Sequence, residues 1–314
     1  MVDVVGVGAN SVDYVYHLPQ FPQPDSPAAK LQITQHVITC GGQTATALCT
    51  CAALGLRTKY IGTIGNDPNG DRIREELARR GVDIEHVSTR DQINPFAVIL
   101  LDRRGERVVL WERGPGLELR PEEIDSSRLR GARLLHVDDV DEEAAIGTAR
   151  IGRDAGIPVT SDIERVTTRT EELLATVTVP IFAEHVPEAL TGERDLERAL
   201  RKLQKVRHQV RRKPDATYAE DLVCVTLGTR GAMLLAGDRL CHEPGRPVAV
   251  VDTTGAGDVF RGAFIVALLR GDAPEEILRF ANAAAALSCT RVGAIASVPT
   301  LDETMSLVSG LYAL

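Results

Sequence analysis

Aromatic side chains are scarce in this chain. They make up 4% of its 314 residues, with a single tryptophan, which leaves little stacking surface for the bases of a single-stranded nucleic acid or for a nucleoside pocket. Positive charge is also short. Lys and Arg number 36 against 44 Asp and Glu, a formal net charge of -8, so no global field draws nucleic acid or an anionic membrane. Zinc-type spacing is missing. Cys40, Cys49, Cys51, Cys224, Cys241 and Cys289 form no C-x-x-C pair, and no two histidines have ligand spacing; they read as buried, reduced thiols of a cytosolic protein. No stretch is long and apolar enough to span a bilayer. The start, Met1-Val2-Asp3-Val4-Val5-Gly6-Val7-Gly8, lacks a basic region and a cleavage site and reads as a strand. A cytoplasmic globular protein is expected, of two domains or of one large α/β domain with an insertion.

What the chain does have is alternation. Short apolar runs at 4–7, 59–64, 133–137, 157–160, 179–182 and 222–226 alternate with helical patterns at 44–54, 142–154 and 196–210. This predicts βαβ units and an α/β fold with a mainly parallel sheet covered on both faces, ligands binding at the C-terminal strand ends. Two segments interrupt the pattern. One, 14–37, holds Pro19, Pro22, Pro24 and Pro27; the other, 96–112, reads as a hairpin turning at Asp102-Arg103-Arg104-Gly105. Segments 13–37 and 95–113 are expected to form a small β lid over a core of 1–12, 38–94 and 114–314, which would shield a reactive ligand from water. An edge hairpin without a gating role is the alternative. The basic segment 194–213 places Leu196, Leu200, Leu203 and Val206 near helical spacing and reads as an amphipathic surface helix with solvated charges.

The densest chemical signal is Val251-Asp252-Thr253-Thr254-Gly255-Ala256-Gly257-Asp258, followed by a helical pattern. Gly255, Ala256 and Gly257 carry almost no side chain, so their N–H groups can crowd around one anion at a helix N-terminus. Asp258 would lie within reach of a group attacking that anion. Phosphoryl transfer to a hydroxyl needs this pairing of donors and carboxylate. At a helix N-terminus Asp258 is expected to have a lowered pKa and to stay ionised at neutral pH. A second turn, Cys40-Gly41-Gly42-Gln43-Thr44-Ala45-Thr46, permits close backbone approach and offers Gln43 and Thr46 as hydrogen-bonding side chains. Gly6-x-Gly8 suggests a dinucleotide fold but lacks the third glycine, Ser11 standing in its place. Asn10 and Asp13 at that strand end suit sugar hydroxyls, and Asp25 could reach the same pocket. The run from Thr226 through Gly228 to Gly231 could hold a nucleotide's ribose and phosphates. The small-residue helix 281–288, with Asn282, permits either packing against a flat ring or close helix–sheet packing without a ligand.

Taken together these motifs resemble the ribokinase-like (PfkB) carbohydrate kinase family over nearly the whole chain. Asp252 to Asp258 carries the resemblance most closely, and Gly41-Gly42 less so. Within the family, Asp13, the Pro24-Asp25-Ser26 turn and the lid spacing look most similar to ketohexokinase. The resemblance implies a three-layer αβα sandwich with a β lid, and ATP-dependent phosphorylation of a sugar hydroxyl, with a ketose as one candidate acceptor. It makes Asp258 the general base and Gly255, Ala256 and Gly257 the anion hole. Asp13, Asp25, Gly42, Gln43 and Thr46 would line the sugar pocket. Thr226, Gly228 and Gly231 would lie along ATP, with Asn282 near the adenine. Asp252, Thr254, Ser288, Arg291, Gly293 and Ser297 match positions that hold a monovalent cation in related kinases, K+ being the candidate. A homodimer through the lid is the candidate assembly.

The chain also departs from the family. Thr46 stands where Asn is usual, and ketohexokinases carry Asn at the position of Gln43, so the pocket is not a copy of the fructose pocket. The family's Asn-x-x-Glu, linked to magnesium, is missing from 180–192; Glu184 or Glu188 could hold Mg2+ through water, with the phosphates as its main ligands. Two alternatives stay open: a phosphosugar kinase, for which Arg103, Arg104, Arg107 and Arg113 are candidate cations, and an inactive sugar- or nucleotide-binding regulator.

Overall fold

A computed structural model describes residues 2–104, 106–210 and 221–310; Gly105 of the expected turn and residues 211–213 of the basic segment lie outside the described residues. The strands, in chain order, are β1 (Val4–Val7), β2 (Ser11–His17), β3 (Gln35–Gly41), β4 (Thr58–Ile61), β5 (Thr63–Gly65), β6 (Val82–Asp83), β7 (Ser88–Arg90), β8 (Phe96–Leu101), β9 (Arg107–Glu112), β10 (Leu134–Asp138), β11 (Val159–Ile163), β12 (Val179–Phe182), β13 (Leu222–Thr226), β14 (Ala232–Ala236) and β15 (Arg239–Glu243). The helices are α1 (Gln43–Ala53), α2 (Pro68–Arg79), α3 (Ser126–Leu129), α4 (Glu142–Ala155), α5 (Thr170–Thr176), α6 (Val186–Thr191), α7 (Leu196–Val210), α8 (Ala256–Arg270), α9 (Pro274–Ser288) and α10 (Leu301–Val308).

Among the described residues nine strands form the central sheet, in the order β15-β14-β13-β12-β11-β10-β1-β4-β6. Pairing is parallel from β6 to β13, and β14 and β15 are added antiparallel. Successive strand side chains point to opposite faces, and two separate cores follow. Val4, Leu134, Ile181 and Cys224 pack against α1, α2, α8 and α9. Val5, Leu135, Phe182 and Val223 pack against α3, α4, α5 and α7. The result is the mainly parallel sheet covered on both faces that the alternation predicts, and the three-layer αβα sandwich that the resemblance implies. No described helix is long and apolar enough to cross a membrane.

The chain leaves β1 toward β4 on one side and returns at β10 on the other. This reversal opens a crevice at the C-terminal ends of β1 and β10, where an open α/β sheet binds its ligand. The second sheet, in the order β3-β2-β8-β9, rises from that same edge, because β2 starts four residues after β1 ends and β3 runs into α1. Val15, Ala97, Ile99 and Leu101 form its own small core, while β9 is exposed along its length.

Two strand expectations differ from the fold. Segment 59–64 is not one strand. It breaks at Gly62 into β4 and β5, which belong to different sheets, because the Tyr60 ring packs against Gly62 and its hydroxyl donates to the Gly8 carbonyl (2.7 Å). The strand expected at 157–160 instead runs through Ser161 and Asp162 to Ile163, all fully buried. Ser and Asp look like turn residues, but here the sheet's centre overrides local preference.

Candidate active site

Helix α8 starts at the edge of the crevice. Its N-cap, Gly255, takes the left-handed conformation (φ 76°), which residues with a Cβ rarely adopt. The Ala256 N–H turns onto the Thr253 carbonyl (3.3 Å), and the first turn lacks carbonyls four residues back to accept the other N–H groups. Asp252 fixes the loop from behind. Its Oδ1 accepts from the Thr254 N–H (2.9 Å) and hydroxyl (2.7 Å), and its Oδ2 accepts from the Gly293 N–H (2.9 Å). From the second sheet, Arg107 reaches over to the Thr254 hydroxyl (3.4 Å).

Asp258 lies in the first turn of α8 and is buried. Carboxylate oxygens of Asp162, Glu164 and Asp258 come within 4.8 Å of one another. The Arg261 guanidinium stands beside them, with Nη2 2.6 Å from Asp162 and 3.5 Å from Glu164, so we read the cluster as ion-paired rather than as a metal centre. The expectation of a lowered Asp258 pKa is not met. Burial pushes its carboxyl well above the usual range and the Glu164 charge adds to this, with Arg261 opposing. The helix terminus is outweighed because removal from water and a neighbouring carboxylate both favour the protonated acid.

The Gly41-Gly42 turn meets this loop. A Cβ at Gly41 would lie 2.5 Å from Asp13 Oδ2 and 3.3 Å from the Ala294 Cβ, and a Cβ at Gly255 would lie 2.5 Å from that same Ala294 atom. Gly42 (φ 97°) passes directly against the backbone of Asn10. Asp13 is therefore held against the Gly41-Gly42 turn, which Ala294 joins to the Gly255 turn. It accepts from the Ser11 hydroxyl (2.9 Å), and burial, aided by the charge of Asp252, raises its pKa to about 6. Gln43 Nε2 and the Thr46 hydroxyl are buried without a hydrogen-bond partner, an uncommon state for polar groups unless a ligand or water completes them. Asn10 differs from the sugar-binding expectation. Its amide donates to the Tyr60 hydroxyl (2.9 Å) and the Thr63 carbonyl (2.7 Å) and accepts from Asn94 (3.1 Å), so it pins the base of the second sheet. Asp25 is exposed, with a left-handed backbone (φ 56°).

The expected nucleotide residues lie at the ends of β13 and β15. The Thr226 hydroxyl donates to the Phe182 carbonyl (3.3 Å), and the Asn282 amide donates to the carbonyls of Glu243 (2.9 Å) and Pro244 (3.3 Å). A Cβ at Gly231 would lie 2.6 Å from the Gly245 nitrogen and the Pro244 carbonyl carbon, so Asn282 and Gly231 hold one segment, 243–245, while Gly228 opens the preceding turn. Glu184 pairs with Arg230, and Glu188 lies 3.7 Å from Arg194, both at exposed positions apart from the acid cluster. Of the cation residues, Ser288 and Ser297 donate to the carbonyls of Ala285 and Ala294 (2.8 Å each), and Arg291 pairs with Glu303 on α10.

The sequence reading missed Asp138, Asp139, Asp162, Glu164 and Arg261. Asp138 is buried and accepts from the Ala9 N–H and the Thr44 hydroxyl (2.7 Å each), tying β1 to α1; burial raises its pKa to about 6. Asp139 holds Arg165 at 3.1 Å. Acids closing successive parallel strands were the available signal, since such strand ends face one crevice.

Comparison with known proteins agrees with this architecture. Residues 3–301 match the model of the pfkB family carbohydrate kinases. The chain is 28% identical to a ribokinase of Haemophilus influenzae, across 96% of this chain and 97% of the relative. It is 31% identical to an ATP-dependent ribose-1-phosphate kinase of Halopiger xanaduensis, across 98% and 99%. The structure of Arabidopsis thaliana ribokinase complexed with ribose and ATP superposes with a TM-score of 0.80 at 27% identity, covering 98% of each chain.

Proposed function

The chain belongs to the pfkB family of carbohydrate kinases, whose chemistry is ATP-dependent phosphorylation of a sugar, and from that premise we propose that it phosphorylates a hydroxyl of a small free sugar with Asp258 as general base. The observation that carries this reading is a buried carboxylate in the first turn of a helix whose Gly-Ala-Gly start offers N–H groups to an anion. Bound ATP supplies the phosphoryl group. The amides around Gly255, Ala256 and Gly257 stabilise its charge as it moves. A carboxylate with a raised pKa is a stronger base than the sequence suggests, which suits it to take the acceptor proton as the hydroxyl becomes acidic.

Asp13, Gln43 and Thr46 bind the sugar in this reading, supported by the approach of Asp13 to the Gly41-Gly42 turn and by the orphaned atoms of Gln43 and Thr46. The ketohexokinase-like Asp13 and Pro24-Asp25-Ser26 turn keep ketoses in the acceptor panel, and the ribokinase relatives add ribose. Magnesium is assigned mainly to the phosphates of ATP, and K+ to the carbonyls behind Asp252. The second sheet closes over the crevice as a lid, and its exposed β9 edge is the surface through which two copies would pair.

One observation favours a second reading, a phosphosugar acceptor. Arg104 is bound to Asp102 and Glu106, and Arg113 to Asp141, but Arg107 extends to the Gly-Ala-Gly loop. The likeness to a ribose-1-phosphate kinase points the same way. The test is ADP release across ketoses, aldoses, polyols and phosphosugars, with and without K+. Free-sugar turnover that Arg107→Ala leaves intact supports the first reading. Turnover confined to phosphosugars, with a KM raised roughly tenfold or more by Arg107→Ala, supports the second. No turnover with any acceptor would leave a binding protein.

A further inference from the structure

Among the described residues Arg261 is the largest fully buried side chain, 1% exposed, three residues after Asp258 on α8. Residues at this spacing share one helix face. A guanidinium taken out of water requires close countercharge. Here it comes from another layer: Nη2 lies 2.6 Å from Asp162 Oδ1 and 3.5 Å from Glu164 Oε1, both at the end of β11. The contact to Asp162 is an ion pair rather than an aligned hydrogen bond, and Nε has no partner.

Gly257 leaves the guanidinium its room. A Cβ there would lie 2.5 Å from Arg261 Nη1 and 3.6 Å from Glu164 Oε1. The missing side chain of the anion loop thus also seats a cation directly behind that loop. Negative charges also bear on Asp258: Glu164 and Asp162 from the end of β11, Asp138 from β10 and Asp13 from β2. Asp162 and Asp139 face Arg261 in turn, and Arg165 is held by Asp139.

We infer that Arg261 is a positioning residue, which holds Glu164 and Asp162 through its guanidinium and so keeps the Asp258 carboxylate charged and free to accept a proton. The inference rests on the reading of Asp258 as the base. Without this cation, Asp258 would face Glu164, Asp162, Asp138 and Asp13 with no opposing charge and would take up a proton at a higher pH. Lysine at 261 would keep the charge but not the planar fork that spans two carboxylates.

The test is the pH dependence of kcat/KM for the unaltered enzyme, Arg261→Lys and Glu164→Gln, with thermal unfolding to check the fold and Asp258→Asn alongside. Arg261→Lys should move the acid limb to higher pH by about one unit, a tenfold loss on that limb, with a smaller change on the plateau. Glu164→Gln, at a half-exposed position, removes a repelling charge and should move the limb to lower pH. Unmoved limbs, or an equal loss at every pH, overturn the inference. If Arg261→Lys does not fold, Arg261→Gln takes its place beside Glu164→Gln: an upward shift in Arg261→Gln supports the inference, and a fixed limb in either variant overturns it. The two failures differ. Near-full activity of Asp258→Asn removes the base beneath the inference, whereas an inactive Asp258→Asn with fixed limbs removes the role of Arg261 only.

Discussion

Replacing Asp13 with Asn should stabilise the unliganded protein at alkaline pH while weakening sugar binding. Asp13 is buried at the root of the second sheet, and burial raises its pKa from 3.8 to about 6. A carboxyl whose folded pKa exceeds its unfolded value favours the native state below the unfolded pKa. That contribution is lost as pH rises through the folded pKa. About two pKa units at 1.36 kcal/mol each amount to a destabilisation on the order of 3 kcal/mol above the folded pKa. Asn escapes this penalty, because it is neutral, nearly isosteric, and still accepts from the Ser11 hydroxyl (2.9 Å in the unaltered protein). Groups that titrate in both proteins cancel in the difference. Urea unfolding near about pH 4 and about pH 8 should therefore show Asp13→Asn equally stable at the lower pH and more stable at the higher. The same change removes a charged acceptor from the proposed sugar pocket and should raise the sugar KM roughly tenfold or more. A stability difference that does not vary with pH would refute the reasoning, since the carboxylate would then not be poorly solvated.

Other expectations concern packing and pairing. Gly262 lies where α8 crosses α1, and a Cβ there would be 2.5 Å from both the Ala47 carbonyl oxygen and the Thr50 Cβ. Gly262→Ala should lower stability by about 1–3 kcal/mol through overpacking, read by urea unfolding. Arg113 makes two 2.7 Å hydrogen bonds to Asp141 and one of 2.9 Å to the Leu117 carbonyl, largely out of water. Arg113→Met leaves Asp141 without its countercharge and should cost about 3–5 kcal/mol; a midpoint unchanged from the unaltered protein would show that the pair contributes little.

The sheet was legible because a run such as Val4–Val7 or Val179–Phe182, apolar on both faces, is stable only between two helical layers. The Gly-Ala-Gly turn was legible for a similar reason, since small residues before an apolar helix serve few other purposes. The acid cluster was not. Asp162 and Glu164 look like ordinary strand-end polar residues, and Arg261 looks like a solvated residue on an apolar helix. The burial of Asp162 and Arg261, and the approach of Glu164 to them, arise only when β11 packs beside α8 and Gly257 leaves space for the guanidinium. The direction of the Asp258 pKa was missed on the same ground. A sequence reveals the helix terminus, which lowers it, but not the neighbours from other strands or the exclusion of water, which raise it more. Asn10 was misread because its partners, Tyr60, Thr63 and Asn94, are distant in sequence.

The central claim is that Asp258 takes the acceptor proton while the loop before it holds the phosphoryl group. The most direct measurement is kcat for ADP release by Asp258→Asn, at neutral pH with saturating ATP and the best acceptor found. The account predicts a loss of at least about 100-fold with the KM for ATP little changed. A kcat near that of the unaltered enzyme would contradict it.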